Sequence, residues 1–303
     1  MWIGRAISGN YERFWGFKEF TSDYQLNYLQ RGLEDCESSF LRYVRKSDGE
    51  EKRMVWTVPP SGTWGTPNMN DPLQGVLDDC IFIAGLSAYA WHDTTIAQKI
   101  EDAGYYVFYF RNSGVLKKVR VSKKLCYEGG SLPFASSRDF GELWPAYYEK
   151  AYAAYLAAGR NATSVDTFVM RNVAFGRNGK QSMEDLTGFT YTDPLISSID
   201  DCYTFINGKC TGGKTRRPMI AWTKTSGVAA GITLNHAYTV LGVASTNYII
   251  LRNPKRGAAQ PTGNHILTGS VVLGGITINL SNGIFGLHKT SFKDSFYKLA
   301  WTA

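Results

Sequence analysis

The sequence contains no run of about 18 consecutive apolar residues, so it predicts no membrane-spanning helix. Its N-terminus, MWIGRAISGNYERFWG, has neither a long apolar segment nor a small-residue cleavage signature. No secretory signal is therefore predicted, and a cytoplasmic location is expected. Cysteine is scarce and irregular. The five positions (36, 80, 126, 202 and 210) are odd in number and form neither a disulfide framework nor a CxxC metal pattern. Cys202 and Cys210 are near enough in sequence to pair, which the sequence leaves open; a reducing compartment is expected. There is no His-Glu-x-x-His zinc helix, no Gly-x-Ser-x-Gly elbow and no EF-hand loop. Internal repeats are absent. Charged residues make up only 19%, and the basic ones behind the net charge of +7 are scattered through RKSDGEEKR, LKKVRVSKK, GGKTRRP and NPKRG. Scattered charge reads as solvated surface, so no nucleic-acid partner is expected.

What remains is a globular chain. With 303 residues, 44% of them hydrophobic, it can bury one large core or two medium ones. Residues 1–60 read as partly helical: in SDYQLNYLQRGLEDCESSFLRYVRK the apolar positions fall at mixed helical spacing. TVPPSGTWGTPNMNDPLQG follows as an irregular connector. The run from Ile81 to Trp91 is apolar all round and predicts a buried helix. YYVFYFRNSGVLKKVRVSKK reads as a hairpin turning at Asn-Ser-Gly. DFGELWPAYYEKAYAAYLAAG predicts a helix capped near Gly159. SMEDLTGFTYTDP reads as loop and turn, and LISSIDDCYTFING as a further helix. From Pro218 onward, short β-branched and aromatic runs predict an antiparallel sheet. The class is α+β. An N-terminal extension (1–60), a helical part carrying Cys80 (61–198) and a β-rich part (199–303) are expected.

Cys80 lies where the polar stretch QGVLDD meets the apolar run. A thiol at a helix start gains from the dipole and from unpaired N–H groups, both of which favour the thiolate. The same backbone N–H can point at a developing oxyanion, and Gln74, six residues earlier, offers a side-chain amide for the same purpose. A thiol nucleophile needs a base and the base needs an orienting partner. Only four histidines are available. His236 opens a predicted strand, and Asn253 closes the next one. Adjacent antiparallel strands bring the two side chains near one another. A buried structural cysteine and a core histidine are the plainer alternatives. GKCTGGKT (Gly208 to Thr215) fits a phosphate-loop pattern, but strand-like residues follow it where that motif needs a helix, so a basic surface turn is expected.

These segments resemble the calpain-type cysteine protease family. QGVLDDCIFIAGLSAYA is similar to the family's Gln-Gly-x-x-Gly-Asp-Cys-Trp signature, NHAYTVLGV to its Gly-His-Ala-Tyr-Ser-Val, and LRNPKRG to its Leu-Arg-Asn-Pro-Trp-Gly. ELWPAYYEKAYAAY, MEDLTGF and NGIFGLHKTSFKDSF also resemble family segments, in the same order, over roughly residues 56–300. The resemblance implies a papain-like fold in two subdomains with the site in the cleft between them. It implies Cys80 as nucleophile, His236 as base and acid, Asn253 as orienter and Gln74 as oxyanion donor, acting on a protein or peptide substrate. Asp78, Ile81 and Lys255 stand where the family has Gly, Trp and Trp. Without the last ring, the His236–Asn253 bond is expected to be wetter and weaker. No certain cofactor is implied; calcium, used by some relatives, finds no mapped ligands here. The same triad also serves acyl transfer or deamidation, and an altered cleft suits a non-catalytic binding module.

Overall fold

The apolar run does fold as a helix buried at nearly every position, with Phe82, Ile83, Ala84, Leu86 and Ser87 inaccessible or nearly so. A helix apolar on all sides has to sit at the centre of its fold. The computed structural model describes residues 24–27, 40–45, 51–96, 98–164, 170 and 178–302. The chain runs through β1 (Tyr24–Asn27), β2 (Phe40–Arg45), β3 (Glu51–Thr57), β4 (Pro72–Leu73) and then the buried helix α1 (Cys80–His92). Next come β5 (Glu101–Asp102), β6 (Tyr105–Asn112), β7 (Val115–Ser122), β8 (Leu125–Glu128), β9 (Ser136–Ser137), α2 (Trp144–Ala157) and α3 (Gly179–Thr187). The remainder comprises a 3-10 turn at Ile196–Ser198, α4 (Cys202–Asn207), β10 (Cys210–Thr211), β11 (Lys214–Thr215), β12 (Ile220–Thr223), β13 (Ala237–Ala244), β14 (Tyr248–Arg252), β15 (Ile266–Leu267), β16 (Gly269–Leu273), β17 (Ile276–Leu280), β18 (Ile284–His288), α5 (Lys289–Ser295) and β19 (Phe296–Ala300). This is an α+β chain with antiparallel sheets.

The largest sheet runs β10-β11-β13-β14-β18-β15, with β12 pairing both β13 and β19. β13 is buried along almost its whole length and packs on α1. One large core cluster draws on residues from Leu77 to Leu186, and a second on residues from Ile196 to Leu299. Two smaller clusters mix both ranges; one of them gathers Cys80 and Ala84 with Ile220 and Ala237. Polar stitches accompany them. Thr239 Oγ1 donates to the Ala84 carbonyl at 2.7 Å, and Trp91 Nε1 donates to the Leu241 carbonyl at 3.0 Å.

The expected hairpin is present, with Asn112 opposite Val115. Ser113 and Gly114 both have positive φ (49° and 80°), the two-residue turn whose twist suits antiparallel strands. α2 ends as expected, with Gly159 at φ 63° just beyond it. Two expectations are corrected. Tyr24–Asn27 and Phe40–Arg45 are strands of the β1-β2-β3-β8 sheet, not helix; pairing with neighbouring strands overrides the mixed helical spacing. The residues between them lie outside the described ones. Gly179–Thr187 is a helix, not a turn: the Asn178 side chain accepts from Gln181 N–H at its start, Gly188 at φ 75° ends it, and Met183 and Leu186 are buried. Cys202 and Cys210 do not pair; both are free thiols, as are Cys80 and Cys126. The phosphate-loop-like stretch is the β10–β11 hairpin, as its sequence context implied. No helix among the described residues is long and apolar enough to cross a membrane.

Candidate active site

Cys80 is the first residue of α1, and its thiol is buried. Burial pushes the thiol up to about 12; the Ala237 and Ile81 N–H groups oppose this, while the charge of Asp78, and that of Asp79 whenever it is ionised, add to it. The help expected from the helix start is present in the Ile81 amide, but desolvation outweighs it. Ala237 is the residue after His236, so the sulfur rests beside the backbone that carries the imidazole.

His236 sits one residue before β13. Asn235, ahead of it, is left-handed at φ 47°, a conformation asparagine tolerates. The loop is clamped to β12: His236 N–H donates to Thr223 Oγ1 at 2.9 Å, and the His236 carbonyl accepts from Thr223 N–H at 2.9 Å. The ring nitrogen Nε2 lies 2.8 Å from Asn253 Oδ1. That oxygen also accepts from Lys255 N–H at 2.9 Å, which fixes the amide with its oxygen toward the ring. Nε2 therefore carries the hydrogen, and Nδ1 has the free lone pair of a base. Tyr238 meets the ring edge-on with centroids 5.2 Å apart.

The expectation of a wet His–Asn bond is not met. His236 is 6% exposed and Asn253 4%. The side chain of Lys255 is exposed, but its backbone N–H secures the amide. Burial pushes the imidazole down to about 4, helped by the Lys255 charge and opposed by the Asn253 hydrogen bond and Asp78. Burial thus favours the neutral form of both the thiol and the imidazole. Asp78, exposed just before the helix, faces both groups electrostatically.

Gln74 is held to the Asn253 segment by main-chain bonds. Its N–H donates to the Pro254 carbonyl at 2.8 Å, and its carbonyl accepts from Arg256 N–H at 3.3 Å. Its side-chain amide donates to the Leu77 carbonyl at 2.7 Å, which leaves a second amide hydrogen. Gly75 is required beside it, since a Cβ there would lie 2.2 Å from the Pro133 and Phe134 carbonyl oxygens.

Arg252 had no role in the sequence reading. It is fully buried; Nη1 donates to Ser87 Oγ at 2.7 Å, and Nη2 to the Asn70 and Pro72 carbonyls at 2.6 and 2.7 Å. One guanidinium thus ties the strand leading to Asn253 to the helix of Cys80 and the strand leading to Gln74. Burial pushes its pKa down to about 9, still above neutrality. A basic residue directly before Asn253 was the only hint in the sequence.

Asp71, Asp139 and Glu142 place carboxylate oxygens within 4.8 Å of one another. Burial chiefly, with the charges of Glu142 and Asp139, pushes Asp71 up to about 6, although Asn68 and Trp144 donate to it. An all-oxygen anionic set of this kind suits a hard cation such as calcium, which would neutralise mutual repulsion and brace the 68–71 loop against the start of α2.

The family model for calpain family cysteine proteases matches residues 37–260. The chain belongs to that family. It is 28% identical over 273 residues to a thiol protease of Porphyromonas gingivalis, covering 78% of this chain and 56% of that protein. It is 26% identical over 227 residues to human calpain-14, covering 67% of this chain and 31% of that protein. The catalytic subunit of chicken calpain-2 is 30% identical over 116 residues, 34% of this chain and 17% of that subunit. The chain therefore spans little more than half the length of the first of these relatives and less of the others.

Proposed function

We propose that the chain hydrolyses peptide bonds of a protein or peptide substrate through a thioester on Cys80. The observation that carries this reading is the buried His236–Asn253 hydrogen bond beside the Cys80 sulfur. As the sulfur attacks a carbonyl carbon, its proton passes to His236 Nδ1. The transfer starts from a neutral pair and creates charge only as the bond forms, when the oxyanion needs it. Asn253 stabilises the imidazolium as a neutral acceptor. The Cys80 N–H and the free hydrogen of Gln74 Nε2 are assigned to the oxyanion. His236 then protonates the leaving amine, and water, deprotonated by the same ring, releases the acyl group and restores the thiol.

The finer architecture belongs to the same proposal. A papain-like pair of subdomains, 61–198 and 199–303, is supported by the two large core clusters, one on each side of residue 190 or so, and by the site lying where they meet. Digestion of unfolded casein tests the reading: the wild-type chain is expected to cleave it and Cys80→Ala to leave it intact. Equal cleavage by that variant would remove Cys80 from the mechanism.

A further inference from the structure

Next to Cys80 lies a buried acid that the mechanism above does not use. Asp79 is 3% exposed and Glu149, on α2, is fully buried. Among the described residues both Asp79 oxygens and Glu149 Oε1 are buried without a donor, and the two carboxyls lie close enough to share a proton. Glu149 Oε2 accepts from Ala135 N–H at 2.9 Å. Two carboxyls in contact in a desolvated site cannot both ionise cheaply, so one proton is held between them.

The surroundings decide where it resides. Glu149 already has the Ala135 amide and feels the positive charge of Arg256, both of which favour its ionised form. Asp79 feels the negative charge of Asp78, which favours its acid form. The remaining titratable groups nearby are the Cys80 thiol, Cys126 of β8 and Lys150 of α2. The Lys150 amine is spent on the Ser122 carbonyl, Ser122 Oγ and the Lys124 carbonyl. Burial pushes both carboxyls up.

We propose that Glu149 is a positioning residue for the nucleophile: by accepting a hydrogen bond from the Asp79 carboxyl it keeps that carboxyl in its acid form, so the residue preceding Cys80 carries no charge. An ionised Asp79 would oppose the thiolate directly. The inference rests on Cys80 being the nucleophile.

Alkylation of Cys80 by iodoacetamide, followed by mass spectrometry across neutral and alkaline pH, tests it. In Glu149→Gln the new amide keeps the Ala135 bond and turns its NH2 toward Asp79, which then ionises. At a fixed pH, Cys80 should label about tenfold more slowly, a shift of about one unit. Asp79→Asn, neutral and still a donor to Glu149, should label within about twofold of wild type, and the double variant should recover that rate. An unchanged Glu149→Gln profile, or slowing that persists in the double variant, would overturn the proposal. One arm needs no variant to fold: the wild-type chain at neutral pH should show the infrared carbonyl stretch of a protonated carboxyl, and its absence would also overturn the proposal. Labelling reads the thiol and not turnover, so this failure is distinguishable from a failure to digest casein.

Discussion

His236 and His92 show how far burial moves an imidazole. Desolvation pushes each down to about 4, and in His92 the charges of Lys214 and Arg217 add to it. A histidine whose folded pKa lies below its unfolded value binds its proton preferentially in the unfolded chain. Its contribution to stability is complete above the unfolded value near 6.5 and is lost as pH falls toward 4. The buried acids Asp71, Asp79 and Glu149 are shifted up and act in the opposite sense over an overlapping range, so the signature is a difference. His92→Gln should gain in Tm relative to wild type as pH drops through that window, measured by thermal unfolding at several pH values. At Asn253, replacement by Ala removes the acceptor for both His236 Nε2 and Lys255 N–H. The imidazole then loses its tautomer and aim. Peptide turnover should fall on the order of 10²-fold, and Tm should fall as well because two donors lose their buried acceptor; steady-state kinetics beside calorimetry checks both.

Among the elements, α1 and the β6–β7 hairpin could be read from the residues alone. An apolar run of helical length has few folded alternatives, and Asn-Ser-Gly supplies two residues suited to positive φ. α3 could not be read so easily. Its nine residues follow Asn178, begin at Gly179 and end before Gly188, signals that serve turns as well as caps, and only burial of Met183 and Leu186 against α1 decides between them. β1 and β2 were hidden for a related reason: β1 pairs β2 and β2 pairs β3, with β8 closing the sheet beyond β3, and no local period announces that ladder. The site shows the same division. Cys80, His236, Asn253 and Gln74 stand in recognisable segments, whereas Arg252 and Glu149 matter through contacts more than 60 residues away. Arg252→Met would leave Ser87 Oγ and the Asn70 and Pro72 carbonyls without their donor. At about 1–3 kcal/mol for an unsatisfied buried group, a loss of about 3 kcal/mol or more is expected in urea unfolding.

At the scale of the whole molecule, the site is a property of the seam. Cys80 lies in a small cluster with Ile220 and Ala237 that mixes both stretches of chain, and Arg252, Thr239, Trp91 and Gln74 bond between those stretches. On the proposed mechanism these groups act as a unit, and units of this kind are non-additive when dismantled. The direct measurement is turnover of a quenched fluorescent peptide by Cys80→Ala, His236→Ala and the double variant. The account predicts that each single variant falls about 10³-fold or more, and that the double variant falls no further than the worse single. Wild-type turnover in Cys80→Ala, or losses that multiply in the double variant, would contradict it.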